Sequence, residues 1–350
     1  MNLAKSCERM AGRWIDWAFV RAAEWRPAVR LGECLAREEP PLAEPATRGA
    51  PAIPSLDYRP ARVSSNPVLA KLDGRIRRAE AEWKPSGAVE HGPAGYLGTA
   101  GFYLPACPDP KPLPGLLVLP VLYDPLHLAV GPLARYLALR GFAVLELRSG
   151  PSFLGKVRVD PQGAGPTWEE VVSGMIVDGR RALDWLCARD EVEPRQLGII
   201  GVSHGAIIGP CVMGADSRLV AGVFCMGGGD ERLLLARSRE WNVRRFRRRL
   251  MRAHGLRDPE LLLRAEPDTL SPTDPLRYAP AVDPRRVLVV KTRWDWAVPP
   301  EAQDKLWDAL GRPRRITLPL GHISFGLVYP MIARRAAAFL HEHLDGAREP

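Results

Sequence analysis

The stretch from Gly198 to Gly209 reads GIIGVSHGAIIG. An apolar run with the composition of a buried strand ends at Val202, and small residues follow Ser203 and His204 at once. Glycine stands two residues before the serine and two after it. A serine held above the end of a parallel strand needs a sharp, strained turn, and only small flanking residues fit around it. Gly201, Gly205 and Ala206 supply that smallness. Ser203 is therefore the candidate nucleophile. The helix that follows points its N-terminus at the serine, so the backbone amide of His204 is a candidate oxyanion donor.

Working outward, short apolar runs alternate with helical patterns. GLLVLP (115–120), FAVLEL (142–147), QLGIIGV (196–202), LVAGVFCM (219–226), RVLVVKT (286–292) and RRITLP (314–319) read as strands. Helices are expected after Asp124-Pro125, from a capping box at Thr167-Trp168-Glu169-Glu170, from His204, from Pro300 and from about Gly326. This alternation predicts an α/β fold with a mostly parallel, doubly wound sheet and helices on both faces. Between Met226 and Arg285 no strand is evident. Residues 230–264 carry eleven arginines against five carboxylates, and Val243, Phe246, Leu250 and Ala253 form one apolar stripe. A helical lid insertion at about 230–282, over the carboxyl edge of the sheet, is expected.

A serine needs a base, and the base needs a carboxylate to hold its tautomer. Of the seven histidines, His322 in LPLGHIS stands in the loop after the last strand, on the same edge as Ser203. Asp295 in VVKTRWDWAVPP leaves the preceding strand on that edge. Asp230, after CMGGG, is the rival acid. Asp295 is favoured, and Asp230 stays open as the alternative.

The elbow Gly201-Val202-Ser203-His204-Gly205, the Asp295 turn running into VPP, and Gly321-His322 together resemble the α/β-hydrolase superfamily, over about residues 95–345. Among its branches the chain looks most like bacterial dienelactone-hydrolase-like and acetyl-esterase-like serine hydrolases. Dienelactone hydrolases proper carry cysteine where this chain has Ser203, so their substrate does not transfer. The resemblance implies a Ser203–His322–Asp295 triad and hydrolysis of a carboxylic ester or thioester through an acyl-enzyme. The alternatives are an acyltransferase or thioesterase using the same triad, or an idle fold member that binds a ligand. Many members have His-Gly after the strand that supplies the second oxyanion donor; here VLPVLYDP stands in that place. Position assigns the donor to the amide of Val121 or Leu122, with Leu122 preferred, and puts Tyr123 in the substrate pocket. No cofactor and no metal are expected.

Composition sets the remaining bounds. The chain has 350 residues, 46% of them hydrophobic, and a formal charge of +9. The basic residues number 49, only seven of them lysine. The apolar stripe among the arginines suggests a packed face and a solvated face, so no nucleic-acid partner is expected; the expected partner is a small-molecule ester. The six cysteines (7, 34, 107, 187, 211 and 225) show no metal-ligand spacing, which suits reduced thiols and a cytoplasmic location. No stable membrane span is expected, and homo-oligomerisation stays open. Residues 1–94 are read as an N-terminal extension. Trp14, Trp17, Arg21, Ala22 and Trp25 recur at helical spacing, which predicts a helix packed on the main domain or lying peripherally on a membrane. Eight prolines between 27 and 67 mark a connector. Leu69, Leu72, Ile76, Ala79 and Trp83 predict one further amphipathic helix.

Overall fold

The computed structural model describes residues 18–19, 21–23, 30, 33–41, 70–73, 76–82, 96–106, 111–124, 129–149, 153–160, 162–263 and 270–345. In chain order these form β1 (Arg37–Glu39), β2 (Ala70–Asp73), β3 (Ile76–Glu82), β4 (Tyr96–Pro105), β5 (Leu113–Leu119), α1 (Gly131–Leu139), β6 (Ala143–Ser149), α2 (Trp168–Cys187), β7 (Val192–Val202), α3 (His204–Ala215) and β8 (Leu219–Cys225). Next come α4 (Glu231–Arg237), α5 (Trp241–Ala253), α6 (Pro275–Tyr278), β9 (Val287–Thr292), α7 (Pro300–Ala309), β10 (Arg314–Leu318) and α8 (Tyr329–Leu344). Ten strands make one sheet in the order β1-β10-β9-β8-β7-β5-β6-β4-β3-β2. The six from β10 to β6 pair in parallel. The strands outside them, β1 on one flank and β4, β3 and β2 on the other, are antiparallel.

Both faces of the central strands are buried, and successive residues feed different cores. In β5, Leu117 and Leu119 join the core that contains Trp185 of α2 and Val212 of α3. Leu116 and Val118 join the opposite core, with Leu133 of α1 and Leu340 of α8. That is why β5 reads as a continuous apolar run rather than an alternating one. The expected capping box is present: Thr167 Oγ1 accepts from the Glu170 amide, and Glu170 Oε2 accepts from the Thr167 amide. The helix expected at Asp124-Pro125 begins later, at Gly131. Asp124 instead anchors the approach to it, its Oδ2 accepting from the amides of Ala129 and Val130.

The helix expected over Leu69–Trp83 is replaced by the antiparallel strands β2 and β3. Ile76 pairs with Pro105 and Ala79 with Phe102. Three residues apart on a strand, they point to opposite faces, and each enters a different core. Two-sided burial thus imitates the three-residue step of a helix. Trp14, Trp17, Trp25, Leu69 and Trp83 lie outside the described residues. Near them, Ala18, Phe19 and residues 21–23 are helical. Ala23 is buried, and Phe19 meets the rings of Tyr136 and Tyr329 edge-on, with centroids 6.5 and 5.1 Å apart.

Between β8 and β9 no strand intervenes among the described residues. Helices α4 and α5 lie there instead, and Phe246 of α5 stacks on Trp168 at the start of α2, with centroids 5.7 Å apart. The α5 stripe packs through Val243 and Phe246, while Ala253 is exposed. Two of the arginines around the stripe bind carbonyls of other segments. Arg247 donates to the carbonyls of Leu235, Ala236 and Ser238, the last turn of α4 and its exit. Arg249 donates to those of Leu154, Gly155 and Val157. Among the described residues, no helix is long and apolar enough to cross a membrane.

Removing residues 1–94 would strip β1 from one sheet edge and β2 and β3 from the other, leaving β10 and β4 as open edges prone to pairing between chains. The truncated protein is expected to be insoluble, or to melt roughly 10 °C or more below the full chain. Soluble yield and thermal denaturation measure this, and an unchanged Tm would show that the segment contributes nothing to the fold.

Candidate active site

The site sits where the strand order reverses. From β5 the chain moves one way to β6 and then the other way to β7, and a crevice opens beyond the carboxyl ends of strands at such a point. Ser203 leaves β7 there with φ 54° and ψ −116°, a conformation disfavoured for a residue with a side chain. Backbone bonds hold it: its amide donates to the Cys225 carbonyl at 2.8 Å, and its carbonyl accepts from Ala206 at 2.9 Å. A Cβ on Gly201 would stand 2.2 Å from the Gly205 carbonyl oxygen, and one on Gly205 would stand 2.6 Å from that of Leu119. Both glycines of the motif are therefore required by close backbone approach. A third, Gly227, was not singled out from sequence; its Cβ would stand 2.3 Å from the Ala206 carbonyl oxygen.

Ser203 Oγ lies 3.0 Å from His322 Nε2. His322 Nδ1 lies 3.0 and 2.9 Å from the two carboxylate oxygens of Asp295. This places the Nδ1 proton toward the carboxylate and leaves Nε2 to face the serine. Asp295 is buried and well held. Its Oδ1 accepts from the amides of Ala297 and Val298, at 2.9 and 2.8 Å, and its Oδ2 accepts from the Thr292 hydroxyl at 2.8 Å. Gln303, itself buried, accepts from the Thr292 amide and donates to the Val298 carbonyl, fixing both ends of the acid's turn. Sequence reasoning passed over Thr292 and Gln303, because neither belongs to the motif: Thr292 reads as one more strand residue, and Gln303 reaches the acid's turn only through α7. The acid and histidine loops are joined by backbone bonds from Arg293 to Leu318 and from Trp294 to Leu320.

Asp230 is engaged elsewhere. It caps α4, accepting from the Leu233 amide at 3.1 Å, and pairs with Lys305. Of the expected oxyanion donors, His204 is the first residue of α3, at the helix's positive end. Leu122 lines the cavity beside Ser203 and His204, while Val121 packs toward the core under α1 and α8. Tyr123 stands exposed, outside the cavity lining, because Leu122 occupies the inward position. The His204 ring lines the cavity, and burial pushes its pKa down to about 4, so the ring is neutral near pH 7.

The cavity has a volume of about 410 Å³ and lies under α4 and α5. Its wall is mainly apolar, with Leu234, Leu235, Val243, Phe246 and Leu250 supplied by the two lid helices. Besides Ser203 and His204, its lining includes Arg158, Arg232 and the carboxylates Glu231, Glu240 and Asp274. Glu231 accepts from the Trp168 indole and from the Thr273 hydroxyl, each at 2.9 Å. Asp274 accepts from the amides of Asp230, Glu231 and Leu276. Burial, and then the neighbouring Asp274, push the Glu231 pKa from 4.5 up to about 7. Among the described residues, no group of three histidine, cysteine or acidic side chains could hold a metal ion.

A raised carboxyl pKa means that the folded state holds a proton which the unfolded chain has released. Stability is therefore lost as pH rises from about 4.5 to about 7, and is level above that. Glu231→Gln keeps an acceptor for Trp168 and carries no charge. It is expected to be more stable than wild type by on the order of 3 kcal/mol at pH 8, and to lose this advantage near pH 4.5. Urea denaturation at the two pH values measures the difference, and a pH-independent difference would refute the titration.

Solved structures similar to this chain share its architecture. An acetyl xylan esterase from Paenibacillus sp. R4 matches with a TM-score of 0.57 and 20% identity, over 82% of this chain and 90% of that one. A cold-adapted esterase from an Arctic intertidal metagenomic library matches with 0.51 and 17%, over 81% of this chain and all of that one. A putative dienelactone hydrolase from Klebsiella pneumoniae subsp. pneumoniae MGH 78578 matches with 0.50 and 16%, over 75% and 98%. No protein-family model and no curated protein matches the sequence. The chain has an α/β-hydrolase fold, similar to the solved structures of these esterases and of the putative dienelactone hydrolase at low sequence identity.

Proposed function

We propose that the protein is a serine hydrolase that cleaves a small carboxylic ester or thioester through an acyl-enzyme. The observation that carries the reading is the continuous hydrogen-bonded path from Ser203 Oγ through His322 to the buried Asp295 carboxylate. In the first step Ser203 Oγ attacks the carbonyl carbon while His322 Nε2 takes its proton. Asp295 stabilises the imidazolium through Nδ1 without itself accepting the proton. The amides of His204 and Leu122 would hold the oxyanion, the first strengthened by the dipole of α3. When the tetrahedral intermediate collapses, His322 returns the proton to the departing alcohol or thiol. It then takes a proton from water, which attacks the acyl-enzyme, and returns that proton to Ser203 Oγ as the second tetrahedral intermediate collapses and the acid is released.

The cavity narrows the substrate class. Its apolar wall favours an ester with one hydrocarbon portion able to lie under α4 and α5. Arg247 and Arg249 do not argue for an anionic substrate, since they are spent on backbone carbonyls. A cytoplasmic location remains our reading from cysteine spacing.

Two measurements test the reading. Ser203→Ala and His322→Ala are each expected to lower kcat for p-nitrophenyl esters by about 10⁴-fold or more, without loss of fold. Asp295→Asn should cost roughly 10⁴-fold, and Asp230→Asn less than about tenfold, since asparagine caps a helix as well as aspartate. A fluorophosphonate should label Ser203 in wild type and nothing in Ser203→Ala. Comparable turnover by Ser203→Ala would end the proposal.

A further inference from the structure

Six large apolar side chains stand exposed among the described residues: Tyr123, Trp241, Trp294, Trp296, Ile323 and Leu327. Their exposure runs from 40% at Trp296 to 74% at Ile323. Isolated exposed hydrophobes are ordinary, but these are not scattered. Trp294 and Trp296 flank Asp295, Ile323 and Leu327 follow His322, and Tyr123 follows Leu122. The Trp296 and His322 rings lie 6.1 Å apart. The Trp296 carbonyl accepts from the Arg239 amide, two residues before Trp241, and Ser238 bonds the Ala297 carbonyl. The start of the lid helix is thus tied to the acid loop. These side chains, carried by the Leu122, Asp295 and His322 loops and by the start of α5, make up an exposed apolar rim.

The rim is joined to positive charge. The Arg245 guanidinium lies 5.7 Å from the centre of the exposed Trp241 ring. Arg244, Arg248 and Arg252 on the same helix are exposed, as is Arg293 beside Trp294. Few carboxylates oppose them there: Glu240 is occupied in capping α5, and Glu301 is paired with Arg237. We infer that this face docks on an anionic lipid surface, with the aromatic and aliphatic rim entering the interface and α5 lying against the headgroups. Aromatic rings with arginine suit the boundary between headgroups and acyl chains, and each basic residue near such a surface contributes attraction. A second copy of this chain fits worse, because it would bring two α5 arginine faces together. A neutral polysaccharide would use the rings but not Ile323, Leu327 or the charge. The inference rests on the ester-hydrolase reading only for its purpose, an ester delivered from the interface; its test scores binding without turnover.

The test is flotation of the full-length protein with vesicles of phosphatidylcholine alone, or mixed with an equal amount of phosphatidylglycerol. Binding is expected to the mixed vesicles and to weaken with added salt. Arg245→Gln/Arg248→Gln should weaken partitioning roughly 30-fold. Trp241→Ser/Leu327→Ser should weaken it roughly tenfold or more. Neither double variant touches the triad, so each should keep p-nitrophenyl acetate turnover within about twofold, which also shows that it is folded. The inference is overturned by absence of flotation, or by flotation that both variants retain. Flotation lost only on Trp14→Ser/Trp17→Ser would overturn it too, by moving the contact to the N-terminal segment. Self-association that the rim variants abolish, with no vesicle binding, would assign the face to a second copy. Vesicle binding without turnover of any ester would leave this inference standing while the functional proposal fails.

Discussion

The left-handed turn at Ser203 is the constraint around which the rest of the structure is arranged. The conformation lifts the hydroxyl above the sheet, but at a cost of order 1–3 kcal/mol that the surroundings must hold in place. The holding is done by contact. The first turn of α3 lies so near the ends of β5, β7 and β8 that Gly201, Gly205 and Gly227 have no room for a Cβ. The Ser203 amide is bound to the end of β8. Because β9 and β10, on one side of β7, run parallel to it and end at the same edge, the Asp295 and His322 loops emerge within reach of the serine. The triad is a product of strand order as much as of the three residues.

Much of this was legible from residues alone because it is imposed by sterics and alternation. A Gly-x-Ser-x-Gly between an apolar run and a helix has few other uses, and strands separated by helices put their following loops on one edge. Asp295 and His322 could be picked from that placement. What stayed hidden depends on partners distant in sequence. Gln303 grips the acid's turn only once α7 folds back on β9. Glu231 looked like one more charge in an arginine-rich stretch until Trp168 and Thr273 came to it from other segments. The strand at Ile76–Glu82 was misread because burial on both faces of a sheet produces an apolar step of three. The arginines of α5 were read as a solvated face, since a backbone carbonyl that will accept from them leaves no mark in sequence.

The lid also changes in meaning. Arg247 and Arg249 together reach six carbonyl groups, fixing α5 to the exit of α4 and to the loop before α2. Charge-assisted bonds to neutral acceptors depend less on ionic strength than ion pairs do. The roof of the cavity is thereby held firmly in place, while the exposed arginines beside it are left to interact with the surroundings. One helix divides its basic residues between internal bracing and an outward field.

The short strand β1 has a consequence for how the chain is made. Arg37–Glu39 pairs with Arg315–Thr317 of the last strand, and the Glu39–Arg315 ion pair spans 276 residues. At a synthesis rate of about 5–20 residues per second, the partner of β1 emerges some tens of seconds after it does. The N-terminal segment therefore spends most of translation with its sheet position not yet built. The edge of β10, once formed, is covered by a strand that has been waiting nearby on the same chain. The edge at β10 can be covered only after that strand has been made, by a segment synthesised long before it.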